Sequence, residues 1–332
     1  MWYKEDKKGQ VLQEGINEAG AISDWIAAAT AYATHNTTMI PFYIYYSKFG
    51  FQRVGDLAWA AGDMQARGFL IGGTAGRTTL NGEGLQHQDG DSHLVANTIP
   101  NCVSYDPTYA YELAVIIHSG LERMYEKHEN IFYYITTMNE LYTHPEMPAG
   151  TEEGIVKGIY PLKTVGAGNT EVQLMGCGTI LREVEQAAQM LADDWGVKST
   201  IWSVTSFNEL TREAQAIDRE NRFSADAPKV PYISQCLADA KGPVIATTDY
   251  MRNYAEQVRK YIPNRYEVLG TDGFGRSDSR AALRDFFEVD ANYVTIAALK
   301  ALVDEGEMQA SVVAEAIKKY GVDISKPNPM TV

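Results

Sequence analysis

Cysteine is scarce in this 332-residue chain: Cys102, Cys177 and Cys236 are three in number and widely spaced. Odd in count and without a C-x-x-C pair, they suggest neither a disulfide framework nor a zinc ribbon, and a reducing compartment, the cytoplasm, is expected. No apolar run approaches the ~20 residues of a membrane helix. The opening MWYKEDKKGQ is charged and lacks the apolar core of a secretory signal. Basic residues are in deficit, with 29 Lys and Arg against 43 Asp and Glu and a net charge of −14. A duplex binder needs clustered Lys and Arg to displace counterions, so a nucleic-acid partner is not expected. Also missing are a P-loop, a G-x-S-x-G elbow, an H-E-x-x-H helix and a strand followed by G-x-G-x-x-G. Those absences set aside the usual nucleotide, serine-hydrolase, zinc-protease and dinucleotide readings.

What is present is a core. Hydrophobic residues make up 45% and charged residues 22%, and at ~150 residues per domain the length suggests two domains. Asn17 to His35 reads as an Ala-rich helix, with Asn17 as cap and Glu18 in its first turn. Met39 to Tyr46 reads as a buried strand, Phe49 to Arg67 as a helix with Val54, Leu57, Ala58 and Ala61 on one face, and Phe69 to Gly73 as a strand. Thr74 to Ser92 is a polar, Gly-rich loop of functional length. A strand near Cys102, a helix over Pro107 to Tyr125 and a strand over Ile131 to Thr136 follow. The stretch His144 to Gly154 is the best linker. Beyond it we expect strands at Glu171 to Gly176, Thr200 to Val204, Pro243 to Thr248 and Tyr266 to Leu269. Helices are expected at Ile180 to Asp193, Tyr232 to Ala240, Tyr250 to Tyr261, Ala291 to Glu305 and Met308 to Tyr320. The fold class is therefore α/β: two successive domains, 1–150 and 151–332, with mainly parallel sheets flanked by helices.

Three groups of residues can carry chemistry. Glu18 is a carboxylate at a helix start, Tyr46, Phe49, Phe51 and Arg53 form an aromatic–Arg cluster, and Glu83, His87 and Asp89 share the Gly-rich loop. Each also has a plain explanation: dipole complementation, core packing and a solvated loop. His87 and His93, with Asp89 and Asp91, can be read as a metal site, but they lack helical i, i+4 spacing or a thiolate. Gly270 to Ser277 (GTDGFGRS) fits neither a dinucleotide fingerprint nor a Walker loop and reads as a turn before a helix.

Taken in order, longer runs say more. LQEGINEAG (12–20), FYIYYSKFGFQRVGD (42–56), GGTAGRTTLNGEGLQHQDG (72–90), SYDPTYAYE (104–112) and GTDGFGRSDSR (270–280) resemble a thiamine-diphosphate enzyme family. That family is the acetyl-transferring pyruvate dehydrogenase component of the pyruvate dehydrogenase complex, in its single-chain, homodimeric bacterial form. The resemblance spans the pyrimidine-binding and C-terminal domains of the family. It implies thiamine diphosphate as cofactor, with the hard chemistry supplied by the cofactor and its electronics tuned by protein groups. By resemblance Glu18 is the carboxylate that hydrogen-bonds the aminopyrimidine, and Phe49 stacks on that ring. Arg53 and Tyr46 line the same pocket, and His87 is the active-centre histidine that orients the 2-oxo acid. A helix start favours an ionised Glu18, whereas burial against a pyrimidine favours a shared proton.

The implied reaction is decarboxylation of pyruvate, with its two-carbon unit passed to a lipoyl domain of the dihydrolipoyl transacetylase. The family holds the cofactor's diphosphate through Mg2+, on a segment that opens with Gly-Asp-Gly. No such string occurs here; the nearest, Asp89-Gly90-Asp91, lies in a different context. The expectation is therefore a pyrimidine-binding half with no metal ligands of its own, inactive alone and needing a diphosphate-binding domain or chain, in at least a dimer. A transketolase-like two-carbon transferase half and a non-catalytic dimerisation or assembly module are the alternatives.

Overall fold

A computed structural model describes residues 4–332; the first three residues of the charged opening stretch lie outside it. The first sheet holds β1 (Phe42–Tyr45), β2 (Phe69–Gly73), β3 (Cys102–Tyr105) and β4 (Phe132–Thr137) in the order β1-β2-β4-β3, with every pair parallel. A parallel sheet is covered on both faces, so its strands read as apolar runs. Phe69, Leu70, Phe132, Tyr133, Tyr134 and Ile135 are accordingly fully buried. The edge strand β1 differs, for Ile44 is 70% exposed.

The second sheet orders β5 (Ile159–Val165), β6 (Glu171–Gly176), β7 (Lys198–Val204), β8 (Val244–Thr247) and β9 (Tyr266–Leu269) as β5-β7-β6-β8-β9. Only β5 runs antiparallel. Pro161 lies in that edge strand, where the pairing register shifts and a missing N–H is tolerated. No helix of the described residues is long and apolar enough to cross a membrane.

Helices form where apolar residues recur at helical spacing. Glu18–Ala29 buries Ile22, Trp25, Ile26 and Ala29 against the first sheet. Its entry is capped as expected: Asn17 Oδ1 accepts from Gly20 N at 3.1 Å. Ser47–Asp63 buries Ser47, Gly50, Phe51, Val54, Ala58 and Ala61. Gly50 is required there, because a Cβ would come within 1.8 Å of the Tyr45 ring. Ile180–Trp195 packs with Ala291–Asp304 on the second sheet.

Several elements depart from expectation. β5 is a strand despite its proline. Ser92–Thr98 and Phe207–Arg222 are helical, and the expected helix over Tyr250 to Tyr261 contracts to Asn253–Glu256 and a 3-10 turn, Arg259–Tyr261, whereas the turn at Gly270 to Ser277 precedes a helix, Arg280–Phe286, as expected. Phe207–Arg222 is polar on average yet buries Phe207, Leu210, Thr211 and Ala214 along one face, and Ser206 Oγ accepts from Glu209 N at 3.0 Å and starts it.

The two sheets meet along a polar seam. Asp106 N donates to Thr205 O at 2.8 Å and Ser206 Oγ to Ser104 O at 2.6 Å, while Asn208 Nδ2 reaches Ser104 Oγ at 2.6 Å.

Candidate active site

Parallel α/β sheets present ligands beyond the carboxyl ends of their strands, and four of the five expected site residues follow such ends. Tyr46 is the residue after β1, and Phe49 and Arg53 lie in the opening turns of Ser47–Asp63. His87 closes a 3-10 turn, Leu85–His87, in the loop after β2. Glu18 enters from the start of Glu18–Ala29. The spacing i, i+4 places Phe49 and Arg53 one above the other, and the Arg53 guanidinium lies 4.3 Å from the Phe49 ring centroid. Arg53 also forms an ion pair with Glu18. His87 packs edge-on against Phe49 at 4.6 Å and against Tyr46 at 5.3 Å between centroids. Glu18, Arg53, Phe49, Tyr46 and His87 thus form one contiguous cluster.

The cluster is a rim, not a sealed pocket. Glu18 is half-buried, Arg53 is 49% exposed at its side chain and Tyr46 53% exposed. The Glu18 carboxyl is held below the usual carboxylate range, first by its own backbone N–H at the helix start, which outweighs the opposing effect of burial, and then by the hydrogen bond and charge of Arg53.

The other candidates go elsewhere. Phe51 is buried, 4.8 Å edge-on from Tyr134, and belongs to the core. Glu83 is exposed. Asp89 is buried and accepts from Ser92 N at 2.9 Å and from the Ser92 hydroxyl, tying down the start of Ser92–Thr98 and not His87. Asp91 pairs with Lys48 at 2.8 Å. His93 is fully buried, its Nε2 2.9 Å from Thr136 Oγ1 and its ring stacked on Tyr254 at 4.9 Å. The four loop residues do not form a metal cluster, and no group of three or more His, Cys, Asp or Glu with that geometry occurs among the described residues.

Sequence reasoning missed the seam. Thr136 Oγ1 donates to Asp106 Oδ1 at 2.6 Å, and Tyr250 OH reaches the same oxygen at 3.2 Å. Burial pushes the Asp106 carboxyl up to about 7 and the His93 imidazole down to about 3. Asp249, also raised by burial to about 7, accepts from Thr78 N at 3.1 Å and from Thr78 Oγ1 at 2.7 Å. Isolated Asp residues in a polar context gave no sign of this.

Residues 1–145 match the family described as the pyruvate dehydrogenase E1 component middle domain, and residues 158–290 the transketolase-like C-terminal domain. The pyruvate dehydrogenase E1 component of Pseudomonas aeruginosa is 63% identical over 333 residues, covering 99% of this chain and 38% of that protein. The Escherichia coli protein of the same name is 63% identical over 331 residues, covering 99% and 37%. The chain belongs to the pyruvate dehydrogenase E1 component family. It spans about 38% of the length of these relatives. Among solved structures, Campylobacter jejuni transketolase superposes with a TM-score of 0.63 at 17% identity, covering 83% of this chain and 38% of that one. A split-gene transketolase, described as an inactive β4 tetramer, superposes at 0.57 and 16% identity, covering 84% and 81%. At such identities these show the fold: α/β, with parallel sheets flanked by helices.

Proposed function

We propose that this chain is the pyrimidine-binding half of a thiamine-diphosphate-dependent pyruvate dehydrogenase. Residues 1–150 are the pyrimidine-binding domain and 151–332 the transketolase C-terminal-like domain. The observation that carries the reading is the convergence of Glu18, Arg53, Phe49, Tyr46 and His87 on one rim. The donor set fits one end of the cofactor. A carboxylate held ionised, a half-buried aromatic ring and an imidazole suit a flat, basic heterocycle and a 2-oxo acid. The metal end of the cofactor lies outside this reading of the rim, in keeping with the lack of a Gly-Asp-Gly string in the sequence. Diphosphate and Mg2+ are therefore assigned to a separate domain or chain.

When bound, thiamine diphosphate supplies a carbon nucleophile and an electron sink for decarboxylation. Glu18 holds the proton shared with the aminopyrimidine, and Phe49 supports the ring face. The backbone N–H at the helix start, helped by Arg53, keeps Glu18 charged until the site is assembled. Covering the half-exposed rim with a partner face removes water and raises the Glu18 carboxyl toward the range where a proton can be shared. His87 would orient the 2-oxo acid and hold or release a proton at its carbonyl oxygen. In the whole enzyme the two-carbon unit would go to a lipoyl group of the transacetylase, whose disulfide would take up the two electrons. An active assembly is at least dimeric, and three unpaired cysteines, two of them buried, agree with a reducing cytoplasm.

The test is pyruvate-dependent reduction of an artificial electron acceptor with Mg2+ and thiamine diphosphate. The chain is assayed alone and mixed with a diphosphate-binding half of this family. Activity in the mixture only is expected. Activity of the chain alone would overturn the domain assignment, and turnover of sugar phosphate donors in place of pyruvate would favour a two-carbon transferase.

A further inference from the structure

Among the described residues the His87 imidazole is held by ring edges, those of Phe49 and Tyr46. Ring contacts fix a position loosely, so the aim of the imidazole depends on the backbone that carries it. That backbone is gripped from the other half of the chain. Gln88, the next residue, is 2% exposed. Its Nε2 donates to Arg276 O, and its Oε1 accepts from Arg276 N at 2.8 Å. One side-chain amide thus satisfies both backbone groups of a residue 188 positions away, as a neighbouring strand would. Gly275 makes the approach possible, because a Cβ there would lie 2.4 Å from Leu85 O, in the turn that carries His87, and 3.0 Å from Gln88 Oε1.

The same segment holds the rest of the loop. Arg77 Nη1 donates to Gly273 O, Gly82 N to Asp278 O at 2.9 Å, and Arg280 Nε to Thr79 O at 2.8 Å. Upstream, Thr78 is bonded to the Asp249 carboxylate through both N and Oγ1. Gly76, at φ +85°, has no room for a side chain beside that carboxylate, only 2.0 Å from where a Cβ would lie.

We propose that Gln88 is a positioning residue for His87, and that the Gly270–Arg280 segment of the second half is the cradle through which it acts. The proposal rests on the reading of His87 as an active-centre residue. It gives the GTDGFGRSDSR run a task beyond preceding a helix, and makes the second half part of the site's geometry as well as of its stability. A shift of ~1 Å in a catalytic group is enough to cost ~10²-fold in rate.

Gln88→Met tests this while keeping the buried volume and deleting both bonds, and Gly275→Ala tests it from the other side. In the reconstituted mixture each should lower kcat at least ~10-fold with KM for pyruvate within ~3-fold, since aim is lost and binding is not. In the 332-residue chain alone, hydrogen exchange of amides 84–88 should quicken ~10-fold or more while helix Ile180–Trp195 keeps its protection. Unchanged kcat in both variants, with or without faster exchange, overturns the proposal, as does unchanged exchange. If no mixture turns over pyruvate, the functional reading fails, and the exchange measurement still decides whether the cradle grips the loop.

Discussion

Glu18 at the rim and Asp106 at the seam are carboxyl groups in the same half of the chain, and their surroundings drive them in opposite directions. Glu18 is half-buried and meets a backbone N–H and Arg53, which favour its charge. Asp106 is sealed between the sheets, where burial favours its proton, and one of its oxygens, Oδ2, has no hydrogen-bond partner among the described residues. A search for strongly perturbed acids would select the seam. Geometry selects the rim, because an aromatic face, a cation and an imidazole converge there on open space. The comparison teaches that a displaced pKa reports burial first. Chemistry needs access as well, and the seam residues instead fix how the two sheets meet.

The comparison breaks most visibly through Glu18. Glu18→Gln should lower reconstituted activity by at least ~10²-fold, in the range typical of a lost acid–base group. Thermal stability should change little, since the side chain is at the surface and its ion pair is partly solvated. Activity above a tenth of wild type, measured with saturating cofactor, would move the essential carboxylate elsewhere. A parallel loss in thermal stability would make Glu18 structural.

The seam should show itself in stability against pH. Asp106 and Asp249, at about 7 in the folded chain against a usual 3.8, keep protons that the unfolded chain has released. Each therefore makes stability fall as pH rises through that window, by up to ~1.4 kcal/mol per pH unit. His93, at about 3 against 6.5, works the other way, because the unfolded chain holds the extra proton and stability rises with pH over that range. The windows overlap between pH 4 and 6, so part of the dependence cancels in the native chain. Relative to wild type, His93→Gln should tilt the curve downward with rising pH and Asp106→Asn should tilt it upward. Urea unfolding at a series of pH values measures both. Parallel curves for all three proteins would mean that the seam titrates no differently from the unfolded chain.

How much of this was legible in the sequence depended on range. Phe69–Gly73, Glu171–Gly176 and Tyr266–Leu269 fall where their apolar runs placed them, and Asn17 caps the helix that it was expected to cap. These are decisions of a few neighbouring residues. Phe207–Arg222 was missed because it is polar on average, although Phe207, Leu210, Thr211 and Ala214 carry helical spacing and Ser206 and Glu209 a capping signal. β5 was missed because a proline usually disqualifies a strand, a rule that relaxes at an edge. At the site, Phe49 and Arg53 share a helix face by spacing alone. That Glu18 and His87 join them came from the family likeness of long runs. The grip of Gln88 on Arg276 had no local signal, since its partners are backbone atoms and backbone carries no sequence code.

The smallest expected effect separates the two influences on Glu18. Arg53→Met removes the cation and keeps most of the packing stem over Phe49. Because the backbone N–H at the helix start lowers the carboxyl by more than burial raises it, the Glu18 carboxyl should rise in this variant yet stay below the ordinary range. Carbon-detected NMR titration of Glu18 in the 332-residue chain reads this directly. A rise past the ordinary value would mean that burial, and not the helix start, governs the carboxyl once the guanidinium is gone. The rim would then resemble the seam, and the contrast between them would rest on Arg53 alone. A rise that stops short keeps the distinction in the backbone, where substitution of a neighbouring side chain leaves it intact.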